Sequence, residues 1–124
     1  MKIREDYTCP LEIVHDIIKG KWKTIIIFQL QYGPRSLSKL EQQITGINQK
    51  MLLQQLKELQ EFGIVAKNSY EGYPLRVEYY LTPTRGRKML DAILIMQDIG
   101  IDYLVEHKRT DILDKKGIPY NAHN

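Results

Sequence analysis

Gly46-Ile47-Asn48-Gln49-Lys50-Met51-Leu52-Leu53-Gln54-Gln55-Leu56-Lys57-Glu58-Leu59-Gln60-Glu61-Phe62-Gly63 is the stretch on which the fold turns. At about 100° per residue, Met51, Leu52, Gln55, Leu56, Leu59 and Phe62 share one side of a helix. Gln49, Lys50, Leu53, Gln54, Lys57, Gln60 and Glu61 share the other. Asn48 is a helix cap by type, and Gly63 supplies the left-handed residue that ends many helices. The segment therefore has a start, a stop, one buried side and one free side rich in amides and lysine. A face of that kind is either solvated or placed against a partner with acceptors and negative charge, such as nucleic acid.

Working outward, Leu37, Leu40 and Ile44 give a short helix just before it, capped by Ser36 or Ser38; Ser38 with Glu41 also has capping-box spacing. A loop of a few residues, Thr45-Gly46-Ile47, joins the two, as in a helix-turn-helix. Tyr32-Gly33-Pro34-Arg35 is a turn by composition. Further upstream, Lys21 to Leu30 is apolar almost all round after its first turn and predicts a central buried helix, with Trp22 as a core anchor. Pro10 suits the first position of the first helix, with Thr8 or Cys9 as its cap and Leu11, Val14, Ile17 and Ile18 as its stripe.

Downstream of Gly63 the period changes from helical to alternating. Ile64–Tyr70 and Leu75–Leu81 predict two strands joined by the turn Glu71-Gly72-Tyr73-Pro74. Thr82-Pro83 predicts the start of a last helix, Thr as cap and Pro at the first helical position. Met89, Leu90, Ile93, Leu94, Met96, Ile99, Tyr103 and Leu104 give that helix more apolar surface than so small a domain covers, which favours a second subunit. The expected fold is mainly α with a small β-hairpin. It is a winged helix-turn-helix with a long C-terminal dimerisation helix. Residues 1–107 are expected to form the DNA-binding and dimerisation domain, and 108–124 a polar tail with room for one helical turn at Asp111–Asp114.

Composition narrows the class. With 124 residues the chain is one domain by size, and 27% charged and 43% hydrophobic residues are ordinary for a globular protein. The net charge of +3 permits nucleic acid as a partner without requiring it. No apolar run nears the roughly 18 residues of a membrane span, and Met1–Asp6 is not followed by a signal-peptide core. One cysteine excludes an internal disulfide framework, so a cytoplasmic setting and no membrane partner are expected. His15, His107 and His123 lie far apart, and there is no metal-binding spacing, phosphate-binding glycine loop or nucleophile elbow. No enzyme, metal or cofactor is expected.

The residues also resemble the HxlR-type winged-helix transcriptional regulators of bacteria, which are MarR-like. The likeness runs from Cys9-Pro10 to about Gly100. It rests on Gly20-Lys21-Trp22-Lys23, Ile47-Asn48-Gln49-Lys50-Met51-Leu52, Leu56-Lys57-Glu58-Leu59, Gly63-Ile64-Val65, Pro74-Leu75-Arg76-Val77-Glu78-Tyr79-Tyr80-Leu81-Thr82 and Gly86. The resemblance implies a homodimer that binds a double-stranded DNA operator through the helix from Asn48 and the wing. Some members sense oxidants or electrophiles with the cysteine of the Cys-Pro pair. Two positions depart from the pattern: Leu53 stands where a small polar residue is common, and Ile99 where an aromatic often precedes the glycine. No small-molecule effector follows from the sequence.

The residues expected to meet bases are Asn48, Gln49, Lys50, Leu53 and Gln54. Arg35, Ser36, Ser38, Lys39 and Lys57 are expected at phosphates, and Arg76 on the wing. For each, the alternative is a solvated surface residue; for Arg76 it is a pair with Glu78 or Glu71. Cys9 at a helix cap would favour its thiolate form and suit a sensor, the alternative being a small buried residue that seals the helix end. A winged helix also serves as a protein-interaction module, the competing function.

Overall fold

The computed structural model describes residues 3–72 and 74–121. They gather into two compact units, 1–90 and 91–124. The first holds α1 (Pro10–Ile18), α2 (Lys23–Gln29), β1 (Arg35–Ser36), α3 (Leu37–Gln43), α4 (Gln49–Glu61), β2 (Val65–Tyr70), β3 (Arg76–Leu81) and the start of α5 (Arg85–Glu106). The second holds the remainder of α5 and α6 (Thr110–Lys116). The order is that of a winged helix-turn-helix.

The core of the first unit is built from Ile26, Ile27 and Leu30 around α2, Leu40 of α3, Leu52, Leu56 and Leu59 of α4, and Ile64, all fully shielded from solvent. Each contributes roughly 1.5–3 kcal/mol by leaving water. α4 begins and ends as its sequence dictates. Asn48 Oδ1 accepts the Met51 N–H at 2.8 Å, and Gly63, at φ +71°, lets the Ile64 N–H reach the Leu59 carbonyl at 3.0 Å. Met51, expected on the buried side, is 36% exposed, because only Leu52, Leu56 and Leu59 point fully inward.

α2 departs from the expectation in two ways. It starts at Lys23 with Trp22 half-buried at its N-cap, two residues later than the apolar pattern implies. Lys23 is also inside the protein, 3% exposed, its Nζ 2.5 Å from Glu58 Oε2 of α4. The departure is the burial of this first-turn lysine: an ion pair fastens the helix to α4.

The sheet has three strands in the order β1-β3-β2, all antiparallel, instead of a lone hairpin. Arg35 and Ser36, expected in a turn and a cap, pair with Tyr79 and Glu78. Ser36 also caps α3, its Oγ accepting the Lys39 N–H at 3.2 Å, so the Ser38–Glu41 box does not form. In the hairpin turn, Tyr73 lies outside the described residues.

Thr82 does not cap α5 in the expected way, and Pro83 is not its first helical residue. The helix starts at Arg85, after a turn in which the Thr82 hydroxyl accepts the Gly86 N–H at 2.8 Å and donates to the Gly63 carbonyl at 2.7 Å. Arg85 and Arg87 add bonds to the carbonyls of Phe62 and Gln31, at 2.8 and 3.1 Å. Gly86 is packed so closely that a Cβ there would stand 2.3 Å from the Ile64 carbonyl oxygen.

In the second unit, Leu94, Ile95, Met96, Ile99 and Tyr103 of α5 are exposed. Tyr103 stacks on His107 at a centroid distance of 4.0 Å. The tail is more ordered than one helical turn: α6 buries Leu113, ends at Gly117 in the left-handed region, and the Tyr120 hydroxyl donates to Asp114 Oδ1 at 2.9 Å. No helix among the described residues is long and apolar enough to cross a membrane.

Candidate nucleic-acid interface

With Leu52, Leu56 and Leu59 turned inward, Gln49, Lys50, Leu53 and Gln54 emerge together on the outer side of α4, Leu53 being 42% exposed. Their spacing of i, i+1, i+4, i+5 makes them neighbours on one helix face. Amides that donate and accept, a cation and an apolar tip together match the edges of base pairs in a major groove. Asn48 is differently employed. Its side-chain oxygen is held by the Met51 N–H, which fixes the amide and leaves its NH2 group and one lone pair of the oxygen for a partner. Lys57 is exposed further along the helix, and Gln60 is half-buried.

The residues expected at phosphates are spread over the start of α3 and the ribbon. Ser36 and Ser38 bring their hydroxyls within 3.3 Å of one another, and Lys39 is exposed beside them. Arg35 is half-buried, with Nη1 donating to the Pro34 carbonyl at 2.9 Å and Nε enclosed without a partner among the described residues. On the ribbon, Arg76 lies over the Tyr70 ring at 4.9 Å and 3.6 Å from Glu78, so its surface pairing is realised. Leu75 beside it is 67% exposed.

Between α4 and the β2–β3 ribbon runs an open trough lined by Leu53, Lys57, Gln60, Glu61, Lys67 and Tyr79. The place of Lys67 in this trough is what sequence reasoning missed. Strand alternation was visible, but the register that sets Lys67 opposite Tyr79 was not. Tyr79 is buried, and burial pushes its phenol above the ordinary value, so it stays a neutral hydroxyl.

Cys9 is the N-cap residue of α1 and is exposed, so it does not seal the helix end. The carboxylate of Glu12 takes the N–H groups of Thr8 and Cys9, the latter at 2.9 Å. These two bonds, the one from Thr8 first, hold Glu12 below its ordinary range. Cys9-x-x-Glu12 has the spacing of a capping box, a signal present in the sequence and overlooked. Tyr7, Thr8, Pro10 and Ile13 form a shallow depression around the thiol.

The segment before α1 is tied down through buried Asp16. Its carboxylate accepts from the Tyr7 hydroxyl and from Arg4 Nε, the latter at 3.0 Å, and Arg4 in turn covers the Tyr7 ring at 4.7 Å. The Tyr7 bond first, then Arg4, lower the Asp16 pKa. A carboxylate whose folded pKa is depressed stabilises the fold above its unfolded value, and that share is lost as pH falls through the folded one. Below the ordinary carboxylate range, residues 3–9 should therefore become sensitive to limited proteolysis. Asp16→Asn should show that sensitivity already at neutral pH.

Among the described residues no group of three or more His, Cys, Asp and Glu side chains is placed to hold a metal ion. Residues 17–108 match the family model described as HxlR-like helix-turn-helix. The HTH-type transcriptional regulator YdeP of Bacillus subtilis is 39% identical over 95 residues, which cover 77% of this chain and 73% of YdeP. YkvN of the same organism, also an HTH-type transcriptional regulator, is 40% identical over 76 residues; these cover 61% of this chain and 64% of YkvN, just under two thirds of its length. Among solved structures, the redox regulator HypR in its reduced form superposes with a TM-score of 0.71 at 33% identity, covering 86% of this chain and 99% of that one. The reduced transcriptional regulator YodB from B. subtilis does so at 0.66 and 31%, covering 74% and 90%.

Proposed function

This chain belongs to the HxlR-like helix-turn-helix family of transcriptional regulators, and from that premise we propose that it is a homodimer reading a palindromic DNA operator with the 48–62 helix and the 64–81 wing. It is a regulator and not an enzyme. The observation that carries the reading is the outer face of α4: Gln49, Lys50, Leu53 and Gln54 stand free while the opposite face holds the core. A surface for a protein partner favours aromatic and aliphatic anchors at its centre, and this face has one leucine among amides and a lysine.

Residues 1–107 act as the DNA-binding and dimerisation domain, with 108–124 as an appended tail, working in the cytoplasm where the chromosome lies. The exposed side chains of Ile95, Met96, Ile99 and Tyr103, which share one face of α5, support a dimer, since a contiguous apolar surface is rarely left to water. A two-fold dimer sets the two α4 helices about 34 Å apart, in successive major grooves. Fragments of the source genome retained by the purified protein supply the operator. On it, Gln49→Ala and Lys50→Ala should each cost about 1–3 kcal/mol and relax sequence preference, whereas Lys39→Ala and Arg76→Ala weaken binding to all sequences alike. Unchanged operator affinity in both α4 variants argues for the protein-interaction module instead.

Cys9 is proposed as a redox input to the same dimer. Its exposure and its place at the start of α1 support this, as does the likeness to a protein described as a redox regulator. In the oxidation, the Cys9 thiol and a second thiol, from a small molecule or the other subunit, give two electrons and two protons to the oxidant and form a disulfide. A covalent tether there should change operator affinity by about tenfold, or 1.4 kcal/mol, with reductant restoring it. Cys9→Ser titrated against labelled operator, with and without oxidant, checks this; a response that survives the substitution places the sensor elsewhere.

A further inference from the structure

The trough between α4 and the ribbon is not accounted for by helix and wing acting separately. We infer that it is the seat of one DNA backbone strand, held by Lys57 from the helix side and Lys67 from the ribbon side. This rests on the major-groove placement of α4 proposed above. In a duplex the major and minor grooves, about 12 and 6 Å wide, are divided only by a sugar–phosphate backbone. A helix lying in one groove and a ribbon reaching the next must straddle that backbone. Whatever lies between helix and ribbon therefore meets phosphates and not bases.

The lining suits such an occupant. Lys57 and Lys67 approach from two different elements, and neither has an ion-pair partner among the described residues. Gln60 adds an amide, and Leu53 and Tyr79 add the apolar surface against which a deoxyribose packs. Glu61 also lines the trough and is engaged in an interaction of its own. The site is open to solvent along its length, unlike the enclosed pockets that hold small molecules. Lys67 thus becomes a DNA-contacting residue on a strand, away from the recognition helix and from the tip of the wing.

The test uses Lys67→Gln, an exposed substitution that should leave circular dichroism and melting unchanged. Two duplexes of roughly 30 base pairs serve as probes, one of mixed sequence and one enriched by the wild-type protein from a random pool. Loss of one phosphate contact lowers the slope of log affinity against log salt by about 0.9; with curves that converge near about 1 M salt, this is about eightfold at about 0.1 M. Both duplexes should lose alike, leaving their ratio intact. A neutral methylphosphonate at the backbone position between the helix-read and wing-read bases should cost Lys67→Gln less than it costs the wild type, by about that same factor. Penalties that add show that Lys67 does not meet that strand, and overturn the inference. Wild-type slope and affinity in Lys67→Gln, with Gln49→Ala still relaxing sequence preference, overturn it while sparing the proposed function. If Gln49→Ala and Lys50→Ala leave preference intact as well, the placement of α4 falls and the inference with it.

Discussion

Gly86→Ala should lower the melting temperature by about 10 °C or more, since a Cβ there meets backbone more closely than at any other glycine of the chain. The position is helical, so the backbone angle tolerates alanine, and helix propensity alone would make the change mildly favourable. Packing reverses the sign. The new Cβ would lie 2.3 Å from the Ile64 carbonyl oxygen, 3.0 Å from Thr82 Oγ1 and 3.1 Å from the Leu81 carbonyl carbon. Two of those three atoms are backbone, so no rotamer change relieves the contact. The Thr82 hydroxyl also bonds the Gly86 N–H and the Gly63 carbonyl, so moving the helix away breaks both. Overpacking of this kind costs about 3 kcal/mol, which for a chain of this length is about 10 °C. Thermal melts monitored by circular dichroism check it. An alanine variant as stable as the parent would mean that the turn from Thr82 to Arg85 yields more readily than its hydrogen bonds imply.

The second large effect lies in the Lys23–Glu58 pair, and it should be lopsided. Lys23 has 4% of its side chain exposed and Glu58 25%. Glu58→Leu strands an ammonium away from water and should cost about 3–5 kcal/mol, as removal of one member of a buried pair does. Lys23→Met leaves a carboxylate that water can still reach, and should cost less, about 1–2 kcal/mol. The double variant should recover most of the loss, because a well-packed apolar pair replaces a buried ion pair at little net cost. Chemical denaturation of the three variants forms a double-mutant cycle with a strong coupling term. Additive losses would show that the two side chains act independently.

How far the sequence reaches is clearest on α4. Its cap, its end at Gly63 and its inward leucines follow from spacing alone, because a helix face is a local property. Elements that depend on remote partners were not legible. Nothing near Arg35-Ser36 announces a strand; two residues become one only because β3 offers them an edge. Lys23 reads as the polar start of an apolar helix, and its burial depends on Glu58, 35 positions along the chain. Thr82-Pro83 has the composition of a helix start, yet the Thr82 hydroxyl is drawn to Gly63 and the helix opens later. At the candidate interface the same division holds. Gln49, Lys50, Leu53 and Gln54 were legible as one face, whereas Lys67 required the strand register that brings it beside that face.

Ser36 closes a strand and opens a helix at once: it pairs with Glu78 in the sheet, and its hydroxyl receives the Lys39 N–H at the head of α3. A residue shared in this way leaves no joint between the ribbon and the helix pair. Fraying of β3 should loosen the cap of α3, and unwinding of α3 should strip an edge from β3, so the two are expected to open as one cooperative unit in hydrogen exchange. The ribbon is then no loose arm that must be ordered when a duplex arrives. On the docking proposed above, helix pair and ribbon would meet a duplex already assembled, and the ordering entropy that a floppy reader gives up on docking would have been spent during folding.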